Sequence, residues 1–355
     1  MALLVKVPAQ IYQWADRVGN AQNSETFAGL VSDEVGNTIS VGTFRNTVDF
    51  DPGPGVFNLT PTSNNYQTYI LKLDAAGNFV WAKGLFSSGR IKPHSVATDP
   101  NGNIFVGGTF VGVADFDPGP GTYTQATTGW VISYVLKLDP NGNFLWAKMI
   151  DGSQDDDFSR AMTVDGAGSV YTTGRQANST DYDPGSGTSI LYGANNVFIV
   201  KLSSAGTFLW VKGLGTTGVK DIFGIKADAN GTFCITGSYD TTFDTDPGPG
   251  TNMITGSGGG TDAFIIKFDA SGNHLWGRGI GAAGGNDRGL AVTFDPNGSA
   301  LVTGYFATNL IDFDPGAGTA YESTAGGEDI FVLKLNDVGS YEWHAVMGGA
   351  GMDKG

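Results

Sequence analysis

Short runs in which apolar and polar residues alternate follow one another along almost the whole chain. In residues 94–150 these runs are HSVATD, NIFVGGTF, SYVLKLD and FLWAKMI, separated by turn sequences or by one longer connection. A period of two, β-branched and aromatic residues within the runs, and Asn-Gly or Ala-Gly pairs between them predict β-strands joined by hairpins. Helical periodicity is convincing nowhere. The pattern therefore predicts an all-β protein.

The set of four runs recurs at a nearly constant interval. Tryptophans in its last run mark the repeat, at steps of 67, 65, 64, 66 and 67 residues: Trp14, Trp81, Trp146, Trp210, Trp276 and Trp343. One unit is thus about 66 residues long, and we name its strands A, B, C and D in chain order. Four-stranded units repeated in series predict a β-propeller, in which each sheet packs against its neighbours. The recurring tryptophans are predicted to pack between neighbouring sheets.

The prediction is five four-stranded antiparallel blades plus one extra Trp-bearing strand. The approximate blade limits are 26–83, 94–150, 157–213, 221–279 and 287–347. Residues 1–10 are predicted to be a lead segment, and residues 11–355 the propeller domain.

One D-type strand is surplus, because five blades need only five. Either YQWADRV (12–18) completes the last blade, or YEWHAVM (341–347) completes its own hairpin and YQWADRV is left over. An unpaired apolar edge strand is a liability. We favour the explanation that the chain is a piece of a longer array of repeats. The alternative is that the spare strand docks on a neighbouring molecule and builds a head-to-tail polymer.

The repeats carry a family resemblance. The stretches GGGTDAFIIKFDASGNHLW (258–276) and GGEDIFVLKLNDVGSYEW (326–343), with AVTFDPNGSALVTGYF between them, resemble the SBBP β-propeller repeat. This resemblance covers nearly the whole chain. It implies the propeller fold and a location among secreted and surface bacterial proteins, and it implies no particular reaction.

Net charge, the length of the apolar runs and the absence of known motifs limit which partners and activities are expected. The formal net charge of −15 disfavours nucleic acid and anionic membrane surfaces and favours cations. No apolar run approaches the ~20 residues of a membrane helix, so no membrane insertion is expected. We find no nucleophile elbow, phosphate-binding loop, dinucleotide fingerprint or zinc spacing. The chain is therefore expected not to be an enzyme.

The connection between strands B and C carries the most unusual motif. DFDPGPG at Asp49 and Asp115 returns as DYDPGSG, DTDPGPG and DFDPGAG in the other three units. Asp-Pro-Gly is a turn sequence, which explains the proline and the glycines. The residue between the two acids, Phe116 in the second unit, points to the opposite side and can be buried, which leaves both carboxylates on one side of the chain. Such carboxylates, with glycine-rich carbonyls nearby, are also ligands that Ca²⁺ prefers.

Five copies of the acid pair favour calcium, and the turn interpretation stays open beside it. The candidate metal ligands are Asp49, Asp51, Asp115, Asp117, Asp181, Asp183, Asp244, Asp246, Asp312 and Asp314. Eleven residues after four of the tryptophans lie further acids on what should be the same rim, Glu25, Asp157, Asp221 and Asp287, whereas Lys92 holds this place after Trp81.

The function expected from these features is a secreted or cell-surface, non-enzymatic binding or adhesion module. Five similar loops on one rim present equivalent sites, and multivalency turns weak contacts into avidity. A glycan, a surface polymer or a protein is the expected ligand. The alternatives are an assembly subunit that polymerises by strand donation and, less favoured, a hydrolase or lyase on a propeller scaffold.

Overall fold

A computed structural model describes residues 14–15, 25–127, 129–150, 161–176, 179–192, 196–214, 219–307 and 310–353. Every regular element in these residues is a β-strand, which confirms the all-β prediction. The described residues contain no helix long and apolar enough to cross a membrane. The predicted lead segment 1–10, and residues 12–18 apart from Trp14 and Ala15, lie outside this range.

The described residues form five four-stranded antiparallel meanders, one for each repeat, which we call blades 1 to 5. The last strand of blade 1 also pairs with the short ribbon of the second repeat, so this sheet has six strands in all. The strands of blade 1 and its B–C connection are β1 (Thr26–Ser32), β2 (Thr38–Phe44), β3 (Val48–Asp49), β4 (Asn58–Leu59), β5 (Gln67–Leu73) and β6 (Phe79–Ser87). Those of the second repeat are β7 (Ile91–Thr98), β8 (Ile104–Phe110), β9 (Val113–Asp115), β10 (Thr124–Ala126), β11 (Ile132–Leu138) and β12 (Phe144–Ile150).

The remaining repeats follow the same plan. The third contains β13 (Ala161–Val164), β14 (Val170–Gln176), β15 (Thr180–Asp181), β16 (Ile190–Leu191), β17 (Asn196–Leu202) and β18 (Phe208–Leu214). The fourth contains β19 (Val219–Ala227), β20 (Phe233–Tyr239), β21 (Phe243–Asp244), β22 (Met253–Ile254), β23 (Asp262–Phe268) and β24 (His274–Ile280). The fifth contains β25 (Arg288–Phe294), β26 (Ala300–Phe306), β27 (Ile311–Asp312), β28 (Tyr321–Glu322), β29 (Asp329–Leu335) and β30 (Tyr341–Met347).

Each blade is an antiparallel meander in the order A-B-C-D, for example β19-β20-β23-β24. Strands B and C lie in the middle, and in blade 4 both are completely buried, whereas in blade 5 buried and half-buried positions alternate. Strand D is more exposed, as β6 shows. Central strands are covered on both faces by the neighbouring blades, so their polar residues, such as Thr68 and Lys72, are buried as well. The short strands were not predicted; they form a two-stranded ribbon within each B–C connection.

The innermost strands of several blades face a common space. A cavity of about 340 Å³ is lined by residues 31–32, 34, 96–98, 100, 162–166 and 225–229, which belong to or follow strand A of blades 1 to 4. Such a radial arrangement of A strands is typical of a β-propeller. Closure of the blades into a ring stays a prediction.

One joint recurs between neighbouring blades. The tryptophan of strand D donates through Nε1 to the carbonyl oxygen of the second residue in the next blade's C–D turn, as Trp81 does to Pro140 at 3.3 Å. A buried lysine of strand C donates to the same oxygen, as Lys72 does at 3.2 Å. That lysine also pairs with the aspartate of its own A–B turn, here Asp33 at 3.0 Å. The predicted role of the tryptophans between blades is confirmed.

The structure also decides between the two arrangements predicted for the surplus D-type strand. YEWHAVM is β30 and pairs along its length with β29, so it completes its own hairpin. The predicted strand YQWADRV is then the surplus one, and of its residues the structure describes only Trp14 and Ala15. The Nε1 atom of Trp14 donates to the carbonyl oxygen of Ala75 at 3.2 Å, in the C–D turn of blade 1. Trp14 thus occupies the place that the tryptophan of a preceding blade would take.

Candidate functional site

The five DxDPGxG motifs occupy equivalent places in the B–C connections. The first aspartate of each motif ends the first short strand of the ribbon, as Asp49 ends β3 and Asp115 ends β9. Because strands alternate in direction, these connections and the D–A connections emerge at the same end of each blade. The structure therefore brings the ten predicted aspartates together in five pairs, one to each blade.

The first aspartate of the motif ties the two ends of its loop together. Asp115 Oδ1 accepts hydrogen bonds from the backbone N–H of Asp117 at 3.1 Å and of Tyr123 at 2.9 Å. The other four blades repeat both bonds at 2.7–3.1 Å. The carboxylate satisfies amides that the turn leaves without backbone partners. The first aspartate, which a simple turn did not explain, thus has a structural role.

The second aspartate shapes the turn itself. Asp117 Oδ1 accepts from the backbone N–H of Gly119 at 2.8 Å. Its other oxygen lies so close to Gly121 that a Cβ at this position would collide with the carboxylate. The residue between the two aspartates is fully buried, as Phe116 shows. This confirms the predicted division of the motif into one inward side chain and two carboxylates on the other side.

The hydrogen bonds from the backbone to these carboxylates weaken the argument that the acid pairs require calcium, but they do not exclude calcium binding. Backbone amides supply positive partial charge at Oδ1 of both aspartates, so the pair does not need a cation to be stable. Within the ranges that the structure describes, no group of three or more His, Cys, Asp or Glu side chains is placed to hold a metal ion. Calcium binding by the ten aspartates stays a prediction.

The B–C connections also present large apolar side chains to solvent. On the return from the turn or just beyond it lie exposed Phe57, Tyr123, Trp130, Ile190, Tyr192, Met253 and Tyr321. Tyr123 is held in place by ring contact with Phe144 at 5.0 Å between centroids. Phe57 makes the equivalent contact with Phe79, also at 5.0 Å. Trp130, which does not belong to the six tryptophans that mark the repeat, is among these exposed rings.

Two buried acids lie where blades 4 and 5 meet. Asp287 accepts from the backbone N–H of Ala282 at 3.1 Å and of Ala307 at 3.0 Å. Burial, and then the nearby charge of Asp262, raise the pKa of Asp287 to about 6. Burial also raises the pKa of Asp262. Asp287 therefore links the D–A connection to the B–C connection through these two backbone hydrogen bonds. Its spacing from Trp276 in the sequence did not predict this linking role.

Cys234, His274 and His344 all lie in structural surroundings. Cys234 is fully buried, and burial raises the pKa of its thiol. His274 shares a hydrogen bond of 2.9 Å with Thr245, and His344 one of 2.8 Å with Tyr341. Both histidines therefore form hydrogen bonds with side chains of their own blades.

Repeated four-stranded blades, inter-blade joints and a shared central cavity define a repeat protein of the β-propeller type. The SBBP family, described as a beta-propeller repeat, matches residues 84–109, from the end of β6 into β8. The resemblance to this repeat is thereby confirmed.

Two longer proteins are similar to the chain. Over 284 residues it is 29% identical to the uncharacterized WD repeat-containing protein L264 of Acanthamoeba polyphaga mimivirus, which covers 69% of the chain and 20% of that protein. Over 294 residues it is 23% identical to the regulatory protein FlaEY of Caulobacter vibrioides, covering 79% of the chain and 30% of that protein. The chain thus matches less than a third of the length of either relative.

Proposed function

We propose that the chain is a secreted or cell-surface binding module, without enzymatic activity, whose B–C connections bind a neutral polysaccharide at several equivalent sites. The observation that carries this proposal is the set of exposed rings and aliphatic side chains that acid-tied loops present in blade after blade. The resemblance to SBBP repeats of secreted and surface proteins supports the location.

The chemistry of the loops suits a sugar. An exposed aromatic ring offers an apolar face against which the C–H groups of a sugar ring can pack, and the tyrosines add a polar hydroxyl. Carboxylates accept hydrogen bonds, which sugar hydroxyls donate. Loops tied by Asp115 and its equivalents need little ordering on binding, which reduces the entropic cost.

Charge and repetition narrow the ligand further. The net charge of −15 repels anionic polymers, so a neutral polymer is favoured. A polymer repeats its own binding units, and a rim of similar loops can hold several of them at once. Avidity then compensates for weak contacts at each loop.

Removal of an exposed tyrosine is expected to weaken polymer binding. Tyr192 is 76% exposed and Tyr321 56%, so truncation costs little packing. We expect Tyr192→Ala and Tyr321→Ala each to reduce retention on immobilised β-glucan, mannan or chitin by about tenfold, as loss of one stacking contact of about 1.4 kcal/mol requires. The double variant should lose more than either single variant. Affinity electrophoresis against the three polymers measures the effect.

Leu209→Ala is the matched control, because Leu209 is an apolar side chain that is 48% exposed but lies on strand D, away from the loops. It should bind as the wild type does. Equal losses in Leu209→Ala and the tyrosine variants, or wild-type binding to none of the polymers, would contradict the proposal. Release of reducing ends from a bound polymer would contradict the proposal that the chain has no enzymatic activity.

We further propose that calcium occupies the DxDPGxG loops, and one variant separates this from a purely structural turn. Asp115→Ala removes an acceptor of two backbone bonds, so we expect the free energy of unfolding to fall by about 1–3 kcal/mol. If calcium binds, added Ca²⁺ should raise the melting temperature of the wild type more than that of the variant. Differential scanning calorimetry with calcium, magnesium and chelator measures both. Identical melting of the wild type in all three conditions would refute calcium binding and leave the structural role intact.

A further inference from the structure

The ion pair between the strand-C lysine and the aspartate of the A–B turn is broken in blade 4. In the other blades the lysine lies 2.9–3.4 Å from Oδ2 of this aspartate: Lys72 with Asp33, Lys137 with Asp99, Lys201 with Asp165, and Lys334 with Asp295. In blade 4 the equivalent residues are Lys267 and Asp228, and Lys267 pairs with Asp337 of blade 5 instead. Asp228 forms no ion pair with any residue that the structure describes.

The C–D turn of blade 5 explains why Lys267 has a different partner. Its second residue is Asp337, where the other blades have Ala75, Pro140, Ser204 and Ala270. The carboxylate of Asp337 bonds to the ammonium of Lys267, which also donates to the carbonyl oxygens of Gly298 at 3.0 Å and of Asp337 at 3.4 Å. Lys267 thus has acceptors in blade 5 that replace Asp228.

One carboxylate oxygen of Asp228 is therefore left without a donor. Its Oδ1 accepts from the backbone N–H of Asn230 at 2.8 Å and of Thr232 at 2.9 Å. In blades 1 and 2 an asparagine side chain in the place of Thr232 donates to Oδ2. In blade 3 Tyr171 donates to Oδ2, whereas blade 4 has Cys234 in that place. Within the described ranges no group donates to Oδ2 of Asp228, and this half-buried oxygen requires a donor.

Asp228 lines a pocket at the joint between blades 4 and 5. The pocket has a volume of about 410 Å³, and its walls include Lys267, Leu275, Asp337 and Val338. It opens at the end of the blades where the A–B and C–D turns lie, opposite the B–C loops. Leu275 is 51% exposed and Val338 63%, so aliphatic surface lies beside the acids. Two carboxylates and one ammonium give the pocket a net negative charge.

We propose that this pocket binds a primary ammonium group carried on an alkyl chain, with Oδ2 of Asp228 as the acceptor. An ammonium has three N–H donors, and in the other four blades the ammonium of a lysine takes this place beside the aspartate. Leu275 and Val338 would contact the alkyl chain. A lysine side chain of another protein and a free alkyl amine share this chemistry. The site is separate from the B–C loops and does not depend on polysaccharide binding.

Other cations fit the pocket less well. Ca²⁺ takes about six to eight oxygen ligands, which the free oxygen of Asp228 and its surroundings do not supply. A quaternary ammonium group needs the open face of an aromatic ring. Trp276, the aromatic residue of the pocket, is only 6% exposed and offers no such face. Asp337 acts as a positioning residue, because it holds Lys267 away from Asp228.

NMR titration with three probes tests the proposal: Nα-acetyl-lysine amide, cadaverine, and Nα-acetyl-lysine amide that is also acetylated at Nε and therefore uncharged. The Nε1–H signal of Trp276 reports on the pocket, because this group donates to the carbonyl oxygen of Asp337 at 2.9 Å. At low ionic strength we expect both amines to shift the signal and the uncharged derivative to leave it in place. The amine that binds more tightly identifies the source of the ammonium group.

Three variants assign the binding to Asp228. Asp228→Asn keeps the Oδ1 acceptor of the turn and should raise the Kd for the amines at least about tenfold, as loss of a charge-assisted hydrogen bond requires. Asp337→Ser copies the residue of the joint between blades 2 and 3, and it should also weaken binding, because Lys267 is then free to pair with Asp228. Asp74→Asn is the matched control, since it removes one charge from a C–D turn at the same end of blade 1. It should leave the Kd unchanged.

Unchanged affinity in Asp228→Asn would overturn the proposal, as would equal losses in Asp228→Asn and Asp74→Asn. Binding of the uncharged derivative as tightly as the amines, or no shift with either amine, would overturn it as well. Circular dichroism establishes that each variant retains its β-structure.

Discussion

Replacing Lys137 by alanine is expected to lower the free energy of unfolding by about 3 kcal/mol or more, the range for breaking a buried ion pair. The side chain of Lys137 is 7% exposed and pairs with buried Asp99 at 3.4 Å. It also donates to Ser204 O of the next blade and lies over the ring of Phe105. Its loss leaves Asp99 buried without a cation and removes one donor from the joint between blades 2 and 3. Urea unfolding followed by tryptophan fluorescence measures the change.

Lys334→Ala is the matched control for this prediction. Lys334 occupies the same place in blade 5, but its ion pairs are partly exposed. Exposed ion pairs contribute about 0–1 kcal/mol, so the loss should be much smaller. Equal losses at Lys137 and Lys334 would contradict a role of the buried lysines in joining blades.

Stability is expected to fall as the pH rises from about 4 through about 6, because of Asp287. The pKa of this carboxyl is raised to about 6 in the folded protein, from a value of 3.8. The folded state therefore binds the proton more tightly than the unfolded state. The resulting stabilisation is complete below the unfolded pKa and disappears as the pH rises through the folded pKa. Two pKa units correspond to about 3 kcal/mol at most.

Asp287→Asn should flatten this part of the pH profile, which thermal melting across the range measures. Asp295→Asn is the control of opposite sign. The hydrogen bond from Lys334 lowers the pKa of Asp295, so its stabilisation is present above the unfolded pKa and lost as the pH falls below it. A profile of Asp287→Asn that still falls between pH 4 and 6 as the wild type does would contradict the assignment to Asp287.

The repeat could be predicted from the sequence because residues with the same structural role occupy the same position in each blade. Trp81 and its equivalents pack between blades and recur at one interval, so both the four-stranded unit and the role of these residues followed from spacing. Glycines of strand B recur at a similar interval, but their spacing did not reveal why glycine is needed there. At Gly108 a Cβ would collide with the carbonyl oxygen of Lys92 on strand A, a close approach visible only in three dimensions. The short strands of two or three residues were likewise too brief to show periodicity.

The candidate site was predicted in part. The spacing of the aspartates placed them in the right connection and correctly assigned Phe116 to the interior. Their acceptor role was missed, because Asp115 bonds to Tyr123, eight residues away across a turn. Exposed rings such as Tyr192 were missed since no pattern in a single sequence separates an exposed tyrosine from a buried one such as Tyr182.

Amide hydrogen exchange of the polysaccharide-bound protein tests the proposed function most directly. It is measured with and without the neutral polymer that the chain retains best, and it compares the two ends of the blades. We predict that bound polymer slows exchange in the B–C connections of several blades, around residues 52–66, 118–131 and 315–328, and leaves the A–B and C–D turns unchanged. Protection confined to those turns or to the central cavity, or no protection at all, would contradict binding at the B–C loops.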